Sequence, residues 1–125
     1  MIANPIVLPF PTPPPFVVFP AIAGLAAANA IGEELVWRGA LAQQLRAAPL
    51  SWQYAAQALT FGLAHYAGIP AGPLGVLATG VFGMAAFYTR RRYGLRSAIL
   101  LHFSADLVIF GTALTQIHNE YILIR

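Results

Sequence analysis

Three short phrases hold most of the ionisable chemistry of this chain: Gly32-Glu33-Glu34-Leu35-Val36-Trp37-Arg38-Gly39, Phe61-Gly62-Leu63-Ala64-His65 and Leu101-His102-Phe103-Ser104-Ala105-Asp106. The chain has only four acidic residues and three histidines. Glu33, Glu34 and Asp106 each lie beside or four residues from another ionisable group, whereas Glu120 lies near the C-terminus. Carboxylates and imidazoles are the side chains that move protons and activate water near neutral pH. Their setting is apolar, and each charge at the centre of a membrane helix costs about 2.5 to 3.5 kcal/mol. Unpaired in lipid, Glu33, Glu34 and Arg38 would together cost on the order of 8 to 10 kcal/mol, so pairing must recover most of it.

Glu34 and Arg38 stand four apart with the glutamate N-terminal, the favourable order for a helical ion pair. Glu33, rotated by about 100°, has no local partner. Either all three form a structural polar patch, or the Glu34 and Arg38 pair is structural and Glu33 is left for chemistry. His65 shares a helix face with Phe61. A lone histidine can be a satisfied core residue, yet an ionisable group inside a membrane is a functional candidate. His102 and Asp106 also share a face, so the carboxylate can fix the imidazole's tautomer, or both can approach one ligand. His118 falls among polar residues at a helix end and reads as a solvated terminus. Ser104 lacks the glycine-flanked elbow of a serine nucleophile, and the HExxH zinc motif is absent. Without cysteine, disulfides, thiolate metal sites and a cysteine nucleophile are excluded.

The elements that must position these groups are membrane helices. Only 9% of the residues are charged and the mean hydropathy is +0.68, against about 25% charged in soluble domains. The 125 residues therefore read as one polytopic membrane domain. A pI near 9.8 arises from seven arginines and no lysine. Four of those arginines, between positions 90 and 96, read as a cytoplasmic loop and not as a nucleic-acid surface.

Residues 1–20 contain seven of the ten prolines and predict an extended N-terminal segment, without the basic start and cleavage pattern of a signal peptide. Residues 21–118 predict an all-α transmembrane bundle of about four membrane helices, over about 21–48, 51–67, 73–91 and 96–117. Ser51 is the expected N-cap of the second helix, and residues 119–125 form a short tail. Alternating passage puts Arg46 and the 90–96 loop on one side, cytoplasmic by the charge rule, and the expected location is the cell (plasma) membrane. Gly75, Thr79 and Gly83 form a small-residue packing stripe. Counted from the arginine side, Glu33 and His65 lie roughly 20 Å deep, Asp106 about 15 Å and His102 about 9 Å. One shared site therefore requires tilted or offset helices.

In order and spacing, the phrases GEELVWRG, FGLAH and LLHFSAD resemble the EExxxR, FxxxH and HxxxN-or-D motifs of the CPBP intramembrane proteases. That family comprises type II CAAX prenyl endopeptidases and bacteriocin-processing or immunity proteins, and the resemblance covers roughly residues 22–115. It implies an intramembrane endopeptidase in which Glu33 is the general base and His65 helps to hold and activate water. Glu34 and Arg38 would orient the site, and His102 with Asp106 would stabilise the oxyanion. Many members carry asparagine at the position of Asp106, and an ionised carboxylate only accepts hydrogen bonds. Asp106 must therefore be protonated, orient His102 or bind a metal.

The resemblance further implies membrane lipid as surroundings and membrane-associated peptides or proteins, CAAX-type ones included, as substrates. Members usually have further helices before the first motif, so additional N-terminal helices or a partner subunit would complete this core. No cofactor is favoured. A divalent metal such as zinc would draw its ligands from His65, His102, Glu33 and Asp106. The alternative from another class is a catalytically silent membrane-binding, immunity or scaffold protein that uses the same polar core.

Overall fold

Away from water a backbone must satisfy its own hydrogen bonds, and an alanine- and leucine-rich chain does so as helix. The computed structural model describes residues 15–68 and 71–123, with side chains for residues 17–68 and 71–114. Among them are helices and turns and no strand. α1 (Pro15–Glu34) continues through a π-helical segment (Leu35–Leu41) into α2 (Ala42–Gln44), giving one long rod. α3 (Leu50–Ala64), α4 (Gly72–Tyr93) and α5 (Leu95–Leu123) follow.

Among the described residues, three stretches, Val17–Gln44, Gly72–Tyr93 and Leu95–Leu114, are long and apolar enough to cross a membrane. The chain is thus an all-α integral membrane bundle. The fourth rod, α3, has 15 residues, a length of about 22 Å against about 30 Å of hydrocarbon.

Several boundaries differ from the expected ones. The extended segment expected over residues 1–20 lies largely outside the described residues, but its last part from Pro15 is helical, with Pro20 inside α1. A proline in the second turn deprives the helix of one hydrogen bond without ending it. α3 is capped by the extended Pro49 (ψ 145°) and not by Ser51, and it stops at Ala64. His65 is therefore the residue that caps the helix C-terminus instead of lying within it. α5 continues to Leu123, so the expected short tail is largely helical. The side chains of His118 and Glu120 lie outside the described residues.

α3 and α4 pack as an antiparallel pair at very short range. A Cβ on Gly62 would lie 2.6 Å from the Val76 carbonyl oxygen, one on Gly80 3.1 Å from that of Ala58, and one on Gly83 3.0 Å from that of Gln57. The close contact therefore uses Gly62, Gly80 and Gly83. Thr79, expected in the stripe, turns its hydroxyl to the Gly75 carbonyl at 2.7 Å. Gly94 joins α4 to α5 in one residue with φ of 92°, a backbone region that side chains resist. Leu25, Leu35, Leu74, Leu77, Val81 and Val108 face outward while Glu34, Arg38, Gln57, His102 and Asp106 are buried. Apolar outside and polar inside is the distribution a lipid-embedded bundle requires.

Candidate active site

Glu33 and Glu34 are the last residues of α1, where the helix widens into the π-helical segment. Within that segment the Trp37 carbonyl accepts the Ala42 N–H, an i to i+5 bond, and also the Gln57 side-chain amide at 2.8 Å. Such widened turns recur at functional sites. Here it places Arg38 fully inside the bundle, where its Nη1 meets Glu34 Oε1 at 2.8 Å and both side chains are 0% exposed. Arg38 Nη2 donates to the Gly83 carbonyl at 3.2 Å, and its guanidinium lies 4.3 Å from the centre of the Phe61 ring. The ion pair expected from the spacing is thus formed and carries α4 and α3 with it.

Glu34 Oε1 has a second partner, His102 Nδ1 at 2.9 Å. A carboxylate there accepts, so Nδ1–H donates and the ring's Nε2 is turned toward Glu33 Oε2, 3.7 Å away. The tautomer-fixing role that the sequence suggests for Asp106 belongs geometrically to Glu34. Asp106 Oδ1 stands 3.6 Å from His102 Nε2, beyond direct hydrogen bonding, and its Oδ2 accepts the Asn29 amide at 3.0 Å.

His65 arrives from the end of α3. Its Nδ1 lies 2.8 Å from the Phe61 carbonyl, which can only accept, so Nδ1 carries the proton and Nε2 points at Glu33 Oε2 from 3.6 Å. The turn that releases His65 from the helix keeps its backbone satisfied, with His65 N–H on Gly62 O and Gly68 N–H on His65 O. The depth differences counted along straight helices do not separate these groups. The Asn29 to Asp106 hydrogen bond and the approach of Glu33 to His102 reflect the antiparallel register of α5 on α1.

Glu33, His65, His102 and Asp106 therefore share one site, with Glu34 and Arg38 behind it. Glu33 Oε2 is buried and has no hydrogen bond, although the side chain is 27% exposed overall. A cavity of about 330 Å³ opens beside these groups, lined by His65, His102, Asp106, Asn29 and apolar side chains such as Phe82 and Ile109. Among the described residues, no three histidine or carboxylate side chains are grouped to hold a metal ion. Nδ1 of each histidine is engaged, by Phe61 O or Glu34, which leaves both Nε2 atoms free, and Asp106 is held by Asn29.

Asn29 and Gln57 are the polar residues at or behind the site that the sequence reading passed over. Asn29 sits one turn before Glu33 in an apolar run, and that spacing was the available signal. Gln57, one turn before Phe61, is fully buried.

A family model described as Type II CAAX prenyl endopeptidase Rce1-like matches residues 15–108, well over half of the chain and all three motifs. No curated protein and no solved structure gave a match. The motifs, the convergent carboxylates and histidines and the matched span agree, and this chain belongs to the Rce1-like type II CAAX prenyl endopeptidases of the CPBP intramembrane protease family.

Proposed function

We propose that this membrane protease cleaves peptide bonds of membrane-associated, CAAX-type substrates with a water activated by Glu33 and His65, and that no metal takes part in the step. The supporting observation is the buried, unbonded Glu33 Oε2, with the Nε2 atoms of His65 and His102 at 3.6 and 3.7 Å. These separations exceed direct hydrogen bonds and suit groups that share one water.

Because His65 Nδ1 keeps its proton on the Phe61 carbonyl, Nε2 offers a lone pair. A water donating one hydrogen to Glu33 Oε2 and the other to His65 Nε2 turns its own lone pair toward the cavity. As its oxygen bonds to the peptide carbonyl carbon, Glu33 takes one proton and the carbonyl electron pair moves onto oxygen. His102 donates to that oxyanion from Nε2. Since Nδ1–H is engaged by Glu34, this donation requires the doubly protonated ring, for which Glu33, Glu34 and Asp106 are the counter-charges within 2.9 to 3.7 Å. Collapse breaks the C–N bond, and Glu33 returns its proton to the leaving amine. General-base catalysis contributes roughly 10²- to 10⁴-fold and one oxyanion donor about 10²- to 10³-fold.

In the membrane, the ends bearing Arg46 and Arg90 to Arg96 face the cytoplasm under the charge rule, and the plasma membrane is the proposed location. The test is full-length protein in liposomes with a prenylated CAAX peptide, followed by mass spectrometry. Appearance of two fragments whose summed mass exceeds the peptide by one water is expected. Tight peptide binding without fragments would replace the protease by a binding protein.

A further inference from the structure

An anion forming beside Glu34 and Asp106 needs hydrogen-bond donors, and ionised carboxylates supply none, while Glu33, protonated by then, holds its proton for the leaving amine. Of the polar side chains that line the cavity, Thr79 gives its hydroxyl to Gly75 O, and His65 has its Nδ1 proton on Phe61 O. Asn29 alone among these lining residues has a neutral amide, and its nitrogen carries two N–H groups. One is directed at Asp106 Oδ2, at 3.0 Å. With Asp106 ionised, that acceptor requires the amide nitrogen, since the amide carbonyl oxygen cannot donate to a carboxylate. The bond joins α1 to α5 across 77 residues of sequence. It fixes Asp106 with Oδ1 3.6 Å from His102 Nε2 and leaves the amide half-buried at the cavity wall, one turn from Glu33.

We propose that Asn29 is the neutral hydrogen-bond donor of this site: one N–H positions Asp106, and the other binds the carbonyl oxygen of the peptide as it becomes an oxyanion. Resting on the hydrolytic role proposed above, this assigns the oxyanion to two donors, His102 Nε2–H from α5 and Asn29 from α1. It also gives Asp106 a task compatible with its charge, that of a fixed acceptor for Asn29.

The test compares wild type, Asn29→Asp, Asn29→Asp/Asp106→Asn and Glu33→Gln in liposomes, using a prenylated CAAX peptide and, separately, its aldehyde, whose hydrate imitates the tetrahedral intermediate. Asn29→Asp keeps the size and removes the donor, so kcat is expected to fall about 10²-fold with KM nearly unchanged. The double variant restores an amide opposite a carboxylate and is expected to regain at least about tenfold of that loss, because one amide N–H again faces the cavity. A structural role alone would raise KM or lower stability without this split. Asn29→Asp with kcat within about threefold of wild type, or a loss fully explained by unfolding, overturns the proposal while a dead Glu33→Gln leaves the hydrolytic role standing. Should wild type show no turnover, the aldehyde decides: at least about tenfold weaker binding to Asn29→Asp is expected, and equal binding overturns the assignment.

Discussion

Replacing Glu34 by glutamine probes the centre of the fold and not its surface chemistry. Glu34 and Arg38 are both 0% exposed and meet at 2.8 Å. At that distance their attraction is about 6 kcal/mol for an effective dielectric near 20. Glutamine keeps a carbonyl acceptor for His102 Nδ1 and Arg38 but removes the charge that Arg38 pairs with, leaving it the neutral Gly83 carbonyl at 3.2 Å, the Phe61 face at 4.3 Å and Glu33 as the remaining nearby anion. Stranding one member of a buried pair costs about 3 to 5 kcal/mol, and that is the expected loss for Glu34→Gln. Neutralising both partners removes the stranded charge, so Glu34→Gln/Arg38→Gln should recover more than half of the loss, a non-additivity that a double-mutant cycle measures directly. The assay is reversible unfolding of the full chain in bicelles. A loss below about 1 kcal/mol for Glu34→Gln, or a double variant no better than the sum of the singles, refutes the idea that this pair holds the bundle together.

Further outcomes follow from the same geometry. Gly62→Ala places a Cβ 2.6 Å from the Val76 carbonyl and should cost about 1 to 3 kcal/mol in the bicelle assay. Gly24→Ala, with nothing within 4 Å, should cost nothing; equal losses at both positions would show that the α3 and α4 contact is not close. A zinc chelator should leave peptide cleavage unchanged, whereas loss on chelation with recovery on added zinc would contradict the metal-free step. Because the chain has no cysteine, single cysteines report sidedness without background. A membrane-impermeant maleimide should label the exposed Tyr93→Cys from the cytoplasmic side and the exposed Ala71→Cys from the other, and the reverse pattern would invert the proposed orientation.

Much of the site was legible in the sequence because burial of charge in an apolar chain is expensive and therefore rare. Glu34 with Arg38, and the candidates Glu33, His65, His102 and Asp106, were identified by type and spacing, and they do converge. What spacing could not reveal was set by contacts between helices. At the π-helical widening, Leu35–Leu41, the Trp37 carbonyl meets Gln57, twenty residues away, a partner that no local pattern announces. The partner of His102 Nδ1 is Glu34, 68 residues earlier, and not the neighbouring Asp106, because the register of α5 on α1 decides which carboxylate reaches the ring. His65 lies beyond its helix end because α3 stops at Ala64, a tertiary outcome that a nearby Gly68 and Pro70 only loosely foretold. Pro20 misled for the opposite reason, since a proline near a helix start costs one hydrogen bond and not the helix.

The central claim concerns a single carboxylate, and Glu33→Gln tests it most directly. The substitution preserves shape, and Glu33 Oε2 makes no hydrogen bond whose loss would loosen the bundle. Turnover of a prenylated CAAX peptide should fall at least about 10²-fold, with bicelle unfolding as in wild type. Turnover within about threefold of wild type by the folded variant would contradict Glu33 as the base that activates water.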